Sequence, residues 1–137
     1  MSESSDDVGV CPEPAAGTKF EPNSGSTIGA AIAVHRALGP GFVESIYQNA
    51  LCVALTNRKI PYRTQTAVTV CFEGAEVGLH RLDLVVDSEI VVELKAVKSL
   101  NEIHEKQLLS YLRASNLKVG LLLNFNAAVL TIRRIVS

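Results

Sequence analysis

Tryptophan is absent from this 137-residue chain, and aromatic residues make up only 5% of it. A platform of rings for stacking single-stranded bases is therefore disfavoured. There are three cysteines, Cys11, Cys52 and Cys71, widely spaced and without any CxxC or histidine-rich pattern. That excludes a zinc knuckle or a disulfide-stapled scaffold. Cys52 and Cys71 lie within apolar stretches and read as small packed hydrophobes of a reduced, cytoplasmic protein. Long hydrophobic runs are missing too. The longest apolar or glycine stretch, Ile28–Val34, is far short of the ~18–20 residues that span a bilayer. Where a secretory signal would be basic, the N-terminus carries Glu3, Asp6 and Asp7. The expectation is a cytoplasmic protein with no membrane partner. Charge is scarce: charged residues are 20%, with 13 Lys and Arg against 14 Asp and Glu, a net of −1. Global disorder is excluded, and a histone-like nucleic-acid binder is disfavoured.

What is present is a hydrophobic chain, 47% apolar, long enough for one domain with a substantial core. Residues 1 to about 26 stand apart. They are rich in Pro, Gly and Ser, and they hold five acids (Glu3, Asp6, Asp7, Glu13, Glu21) against Lys19 alone. Such a segment cannot pack a core and reads as a flexible acidic tail. Its net of −4 leaves +3 on the domain expected over residues 27–137. The folded part is mildly basic.

From Ser26 the pattern turns helical, with Ile28, Ala31, Ile32, His35 and Leu38 on one apolar stripe. Gly39-Pro40-Gly41 ends that helix. A second runs from about Phe42 to Arg58, with Ile46, Tyr47, Ala50, Leu51 and Ala54 inward. Strands follow at Thr64–Phe72, Val77–Val86 and Glu89–Val97, with turns at Glu73-Gly74 and Asp87-Ser88. Asn101 caps a third helix over Glu102–Ser115, Val119–Phe125 is an interior strand, and Thr131–Val136 a last short one. The order ααβββαβ(β) implies an α/β (α+β) fold, a small mixed sheet with helices on both sides.

The chemistry concentrates in RLDLVVDSEIVVELKAV. Glu93 and Lys95, two apart, share one face of a strand. Asp83 and Glu93 are equidistant from Ser88, so a hairpin centred there sets them opposite each other, provided the register does not slip. Opposed carboxylates repel unless a cation lies between them. Two carboxylates converging on one side suit Mg²⁺, which fills its other positions with water and substrate phosphate. A lysine beside them can hold a water or neutralise charge on phosphate. An ExK in a strand is more often a solvated face, but here Val91, Val92, Leu94 and Val97 make the strand interior, where charges are costly unless paired or liganded. Glu44 starts a helix after Gly41, where it also suits the helix dipole. Gln107 and Tyr111 share a face of the third helix, with His104 one turn earlier. His35 and Tyr47 read as hydrogen-bonded core residues.

LGPGFVESIY, with Gly41, Glu44 and Tyr47, resembles the signature of the GxxExxY protein family, a branch of the PD-(D/E)XK nuclease superfamily. The likeness continues through VHRALGPG, LDLVVDSEIVVELKAV, QLLSYLRA and GLLLNF, over essentially residues 27–136. It implies a restriction-endonuclease-like core with the site on the central hairpin. Asp83 and Glu93 match the superfamily's metal-binding acids, Lys95 its catalytic lysine, and Glu44 the helix-borne acid that completes the metal site. Gln107 and Tyr111 resemble the QxxxY element of RecB-like exonucleases. Leu82 stands where the superfamily has the proline of PD, which is not a ligand.

The resemblance and the acid pair together point to a nuclease dependent on Mg²⁺ or Mn²⁺, with Asp83, Glu93 and Glu44 as metal ligands and DNA expected ahead of RNA. Arg36, Arg81, Lys98, Lys106, Arg113, Arg133 and Arg134 are candidates for phosphate contacts, although each taken singly reads better as solvated surface. The competing expectation is a catalytically silent module that binds nucleic acid or a partner protein. A chain this small has little room for target recognition, which a homodimer could supply.

Overall fold

The computed structural model describes residues 23–137, with side chains from Ser24 onward. The expected flexible tail lies almost wholly outside the described residues. Three helices and five strands follow one another as α1 (Asn23–Leu38), α2 (Glu44–Asn57), β1 (Tyr62–Phe72), β2 (Ala75–Val86), β3 (Ile90–Lys95), α3 (Glu102–Ser115), β4 (Val119–Asn124) and β5 (Thr131–Val136). Helix α1 starts three residues before the expected Ser26, because Asn23–Gly25 form its polar first turn rather than the end of the tail.

The strands form one sheet in sequence order, with β3 and β4 parallel and the other neighbours antiparallel. Only the β3–β4 connection needs a crossover, and α3 supplies it. Both tight turns take left-handed backbone at two successive residues, Glu73-Gly74 and Asp87-Ser88, which matches the twist of the strands they join. The second turn is closed by the Glu89 N–H donating to Val86 O at 3.0 Å.

Apolar side chains fill both faces of the sheet. On one, α1 and α2 cover Leu84, Val86, Ile90, Val92, Leu94, Leu121 and Leu123 with Tyr47, Leu51, Leu55 and Phe125 among the packing residues. On the other, α3 brings Leu108 and Leu112 against Val68, Leu82, Val85, Val91 and Leu122. Helix α3 comes in close because Gly120 has no side chain: a Cβ there would lie 2.9 Å from a Leu108 methyl. Its N-terminus is capped as expected, Asn101 Oδ1 accepting from Ile103 N–H at 3.0 Å, and Asn116 at φ 60° ends it.

Two expected helix faces need correction. The fully buried line of α1 is Thr27, Ala30, Ala31, Val34 and His35, while Ile28 and Ile32 pack only partly. The helix is apolar nearly all round, so periodicity alone could not choose its stripe, and the small alanines let it approach α2 and the sheet. In α2 the stripe is Tyr47, Leu51, Ala54 and Leu55, and Ile46 is exposed. The tip of the β1–β2 hairpin extends past the helices and leaves Phe72, Val77 and Leu79 exposed.

Candidate functional site

Apart from a bulge near the hairpin tip, side-chain alternation in β2 breaks in its buried half. Val85 and Leu82 face α3 while Leu84 and Val86 face α1 and α2, so the strand reverses its pleat at Asp83. Opposite it in β1, Gln65 takes a left-handed φ of 52°, and the ladder passes from Thr64↔Leu84 to Thr66↔Leu82 without pairing the two residues between. On its other side β2 pairs with β3 only from Leu84↔Val92 to Val86↔Ile90. That register is centred on Ser88, as expected, and it brings Asp83 up to Glu93.

At this point the ladder gives way to two reciprocal bonds. The Asp83 N–H donates to Glu93 Oε2 at 3.0 Å, and the Leu94 N–H donates to Asp83 Oδ2 at 2.9 Å. Each carboxylate thus keeps one oxygen tied to backbone and one available. Glu93 is only 6% exposed, whereas Asp83 is half-buried.

Glu44 enters from α2. The preceding loop owes its shape to Gly39 and Gly41, at φ 69° and 115°, and to the buried Tyr47, whose hydroxyl donates to Gly39 O and accepts from the Phe42 N–H at 3.1 Å. Gly41, Glu44 and Tyr47 therefore work as a unit, with a glycine turn, a buried anchor and an acid at the helix start. The Glu44 carboxylate accepts from the Ala96 N–H at 3.3 Å, just past the end of β3. The backbone beyond Lys95 is held by Asn124, 1% exposed, which accepts from Val97 N–H at 3.1 Å and donates to Val97 O at 2.9 Å.

Burial drives the electrostatics. It pushes the Glu93 carboxyl up to about 7, with the nearby Asp83 charge adding to the rise and the Asp83 N–H and Lys95 opposing it. Asp83 is raised too, by burial and then by Glu44, against the Leu94 N–H and Lys95. Lys95, the positive charge beside them, does not offset the cost of burying these carboxylates. The donor set therefore fits a hard divalent cation, which needs only one or two protein carboxylates. Among the described residues, no group of three or more His, Cys, Asp and Glu side chains forms a ready-made cage.

On the α3 side, a small cavity beside Glu93 is lined by His80, Lys95, His104, Gln107, Leu108, Tyr111 and Leu122. The structure thus brings Gln107 and Tyr111 to Glu93 and Lys95, with Asp83 and Glu44 on the adjoining strand and helix. His80 was not expected here. Three residues before Asp83, it would face the opposite way on a regular strand, and only the reversal at Asp83 turns it inward. Its ring stacks on Tyr111, with centroids 3.8 Å apart and planes 7° from parallel. Gln65 was likewise unforeseen, and its amide reaches Gln48 at 3.5 Å. His35 is the expected core histidine, its Nε2–H donating to Ala127 O at 2.8 Å. The basic candidates Arg36, Arg81, Lys98, Lys106, Arg113, Arg133 and Arg134 are all exposed, and Arg133 pairs with Glu105 at 3.6 Å.

Comparison with known proteins agrees with this architecture. Among solved structures, the crystal structure of SSO0001 aligns with a TM-score of 0.52 at 21% identity, covering 68% of this chain and 49% of that one. The chain thus spans about half the length of that protein, and the likeness is one of fold. No curated protein matches the chain. No helix among the described residues is long and apolar enough to cross a membrane. The family model described as the PD-(D/E)XK nuclease superfamily matches residues 22–135. It names the superfamily, and the narrower GxxExxY grouping rests on the sequence resemblance alone. Nucleases of this superfamily generally use divalent metal ions. Matched over nearly all of its described length, the chain belongs to the PD-(D/E)XK nuclease superfamily.

Proposed function

We propose that this chain hydrolyses phosphodiester bonds of nucleic acid with the help of Mg²⁺ or Mn²⁺, and that DNA is its substrate ahead of RNA. The observation that carries the reading is the reciprocal clasp of the half-buried Asp83 and the buried Glu93, each with one carboxylate oxygen left available and Lys95 two residues beyond Glu93 on the strand. Asp83 and Glu93 would hold the ion, with Glu44 reaching the site from α2. A bound Mg²⁺ or Mn²⁺ supplies polarisation of the scissile phosphate and a more acidic water.

The chain's own groups do the rest. Asp83 and Glu93 keep their geometry through backbone donors rather than flexible side chains. Lys95 orients the attacking water or offsets charge that grows on the phosphate oxygens. As the water oxygen bonds to phosphorus, the bond from phosphorus to the leaving sugar oxygen breaks, and that oxygen takes up a proton. Gln107 and Tyr111 face the same cavity and are placed to support the site or the strand being cut. The +3 charge beyond the acidic tail favours a polyanion. Target choice would fall to a partner, and a second copy of the chain is the first to test, by sedimentation.

The test is a nuclease assay on single-stranded DNA, duplex DNA and RNA with Mg²⁺ or Mn²⁺, beside Asp83→Asn, Glu93→Gln and Lys95→Ala. Cleavage that needs the metal and is lost in all three variants is expected. Cleavage equal in wild type and variants belongs to a contaminant and sinks the reading. Nucleic-acid binding without cleavage by the metal-loaded wild type would mark a silent module instead.

A further inference from the structure

His80 Nε2 is buried and has no hydrogen-bond partner among the described residues. Glu93 Oε1 lies 3.8 Å from it, the oxygen of Glu93 that the Asp83 N–H does not take. A buried polar atom left unpaired is uncommon and calls for an explanation. Here that atom faces a carboxylate oxygen of another residue across a gap too wide for a hydrogen bond.

The ring cannot readily turn away. Tyr111 stacks flat against it from α3, and the reversal of β2 at Asp83 aims it inward. In the neutral tautomer that carries its proton on Nδ1, Nε2 presents a lone pair toward a carboxylate oxygen. Two lone pairs directed at one space are satisfied together by one cation. The space adjoins the cavity lined by His80, Glu93 and Lys95.

We propose that His80 is a ligand of the divalent cation, its Nε2 joining Glu93 Oε1, so that the ion is held by imidazole nitrogen as well as carboxylate oxygen. This rests on the metal-dependent reading above and adds to it a choice of ion. Imidazole favours first-row transition ions over Mg²⁺, whereas carboxylate and water alone suit both Mg²⁺ and Mn²⁺. The site accordingly prefers Mn²⁺. Tyr111, by holding the ring flat, is a positioning residue for that ligand, as partners that orient a metal-bound histidine usually are.

The experiment uses the full chain loaded with Mn²⁺ and reads pulsed electron paramagnetic resonance. One imidazole nitrogen coupled to the ion is expected, and it should change to the ¹⁵N pattern in wild-type protein grown with ¹⁵N-histidine. The coupling should vanish in His80→Gln and persist in His104→Gln. Calorimetry on the same samples should show the Mn²⁺-over-Mg²⁺ preference falling about tenfold or more in His80→Gln. Mn²⁺ bound in an Asp83- and Glu93-dependent way without coupled nitrogen, or with coupling that survives His80→Gln, overturns the role of His80 and leaves the nuclease reading intact. Mn²⁺ binding indifferent to Asp83→Asn and Glu93→Gln overturns both. Because the labelled protein is wild type, the finding of a histidine ligand does not depend on how well a variant folds, and coupling retained in His104→Gln, with His35 Nε2 already bonded to Ala127 O, leaves His80 as its source.

Discussion

The two faces of the sheet are built to different ends. Under α1 and α2 the packing is apolar and continuous, with Tyr47, Leu51, Leu55 and Phe125 fully buried and Tyr47 stacked on Phe125 at 4.6 Å. Under α3 the apolar cluster is smaller, and beside it lies a cavity walled by His80, Glu93, Lys95, His104, Gln107 and Tyr111. Burial of hydrocarbon on the first face supplies stability without demanding polar partners. The second holds two carboxyls in a state that folding disfavours, which is the usual signature of a working site. One face pins the sheet so that the other can carry strain.

That contrast can be broken in four ways. The largest effect is expected from Lys95→Ala, which should cut nuclease activity about a hundredfold or more while changing the thermal midpoint little, a split seen by assay and calorimetry side by side. Leu51→Ala, on the α1–α2 face, should do the opposite. It should cost about 3–5 kcal/mol in denaturant unfolding, against about 2–3 kcal/mol for Leu108→Ala, whose side chain already borders the cavity. Equal losses would mean that the two faces are packed alike.

The third effect is on pH. Glu93 ionises near 4.5 when unfolded but only at about 7 in the fold, so between those values the folded state binds the extra proton. The stability this contributes is complete below about 4.5 and is lost as pH rises through about 7. In the absence of divalent ions, thermal unfolding should therefore show falling stability over that interval, with Asp83 adding in the same direction. Glu93→Gln should flatten the curve, and added Mn²⁺ should reverse its slope. A metal-free protein whose stability does not fall across the interval would remove the case for strained carboxyls. The smallest effect is expected for Asn101→Ala at the cap of α3, about 1 kcal/mol by denaturant titration. It should lower stability without changing the Mn²⁺-to-Mg²⁺ preference.

Much of this was legible in the chain. The ExK spacing put Glu93 and Lys95 on one face, and the Asp87-Ser88 turn set the register that brings Asp83 to Glu93. Local rules sufficed there because a two-residue turn and a period of two leave few alternatives. The stripes of α1 and α2 were harder to read. Ile28 and Ile46 looked inward, yet Ile28 is only partly buried and Ile46 exposed, because a helix apolar on most sides is oriented by what it packs against.

What the sequence alone determined was the order of elements, the turns, the cap of α3, and a single acidic hairpin with its lysine. All of these follow from short-range backbone preference and side-chain periodicity. Only the tertiary structure decided that β2 reverses its pleat at Asp83. That kink depends on Gln65 opposite, eighteen residues earlier, taking a left-handed conformation its residue type does not demand. The reversal turns His80 toward Glu93 and Tyr111, because a strand's faces are set by its neighbours on both sides.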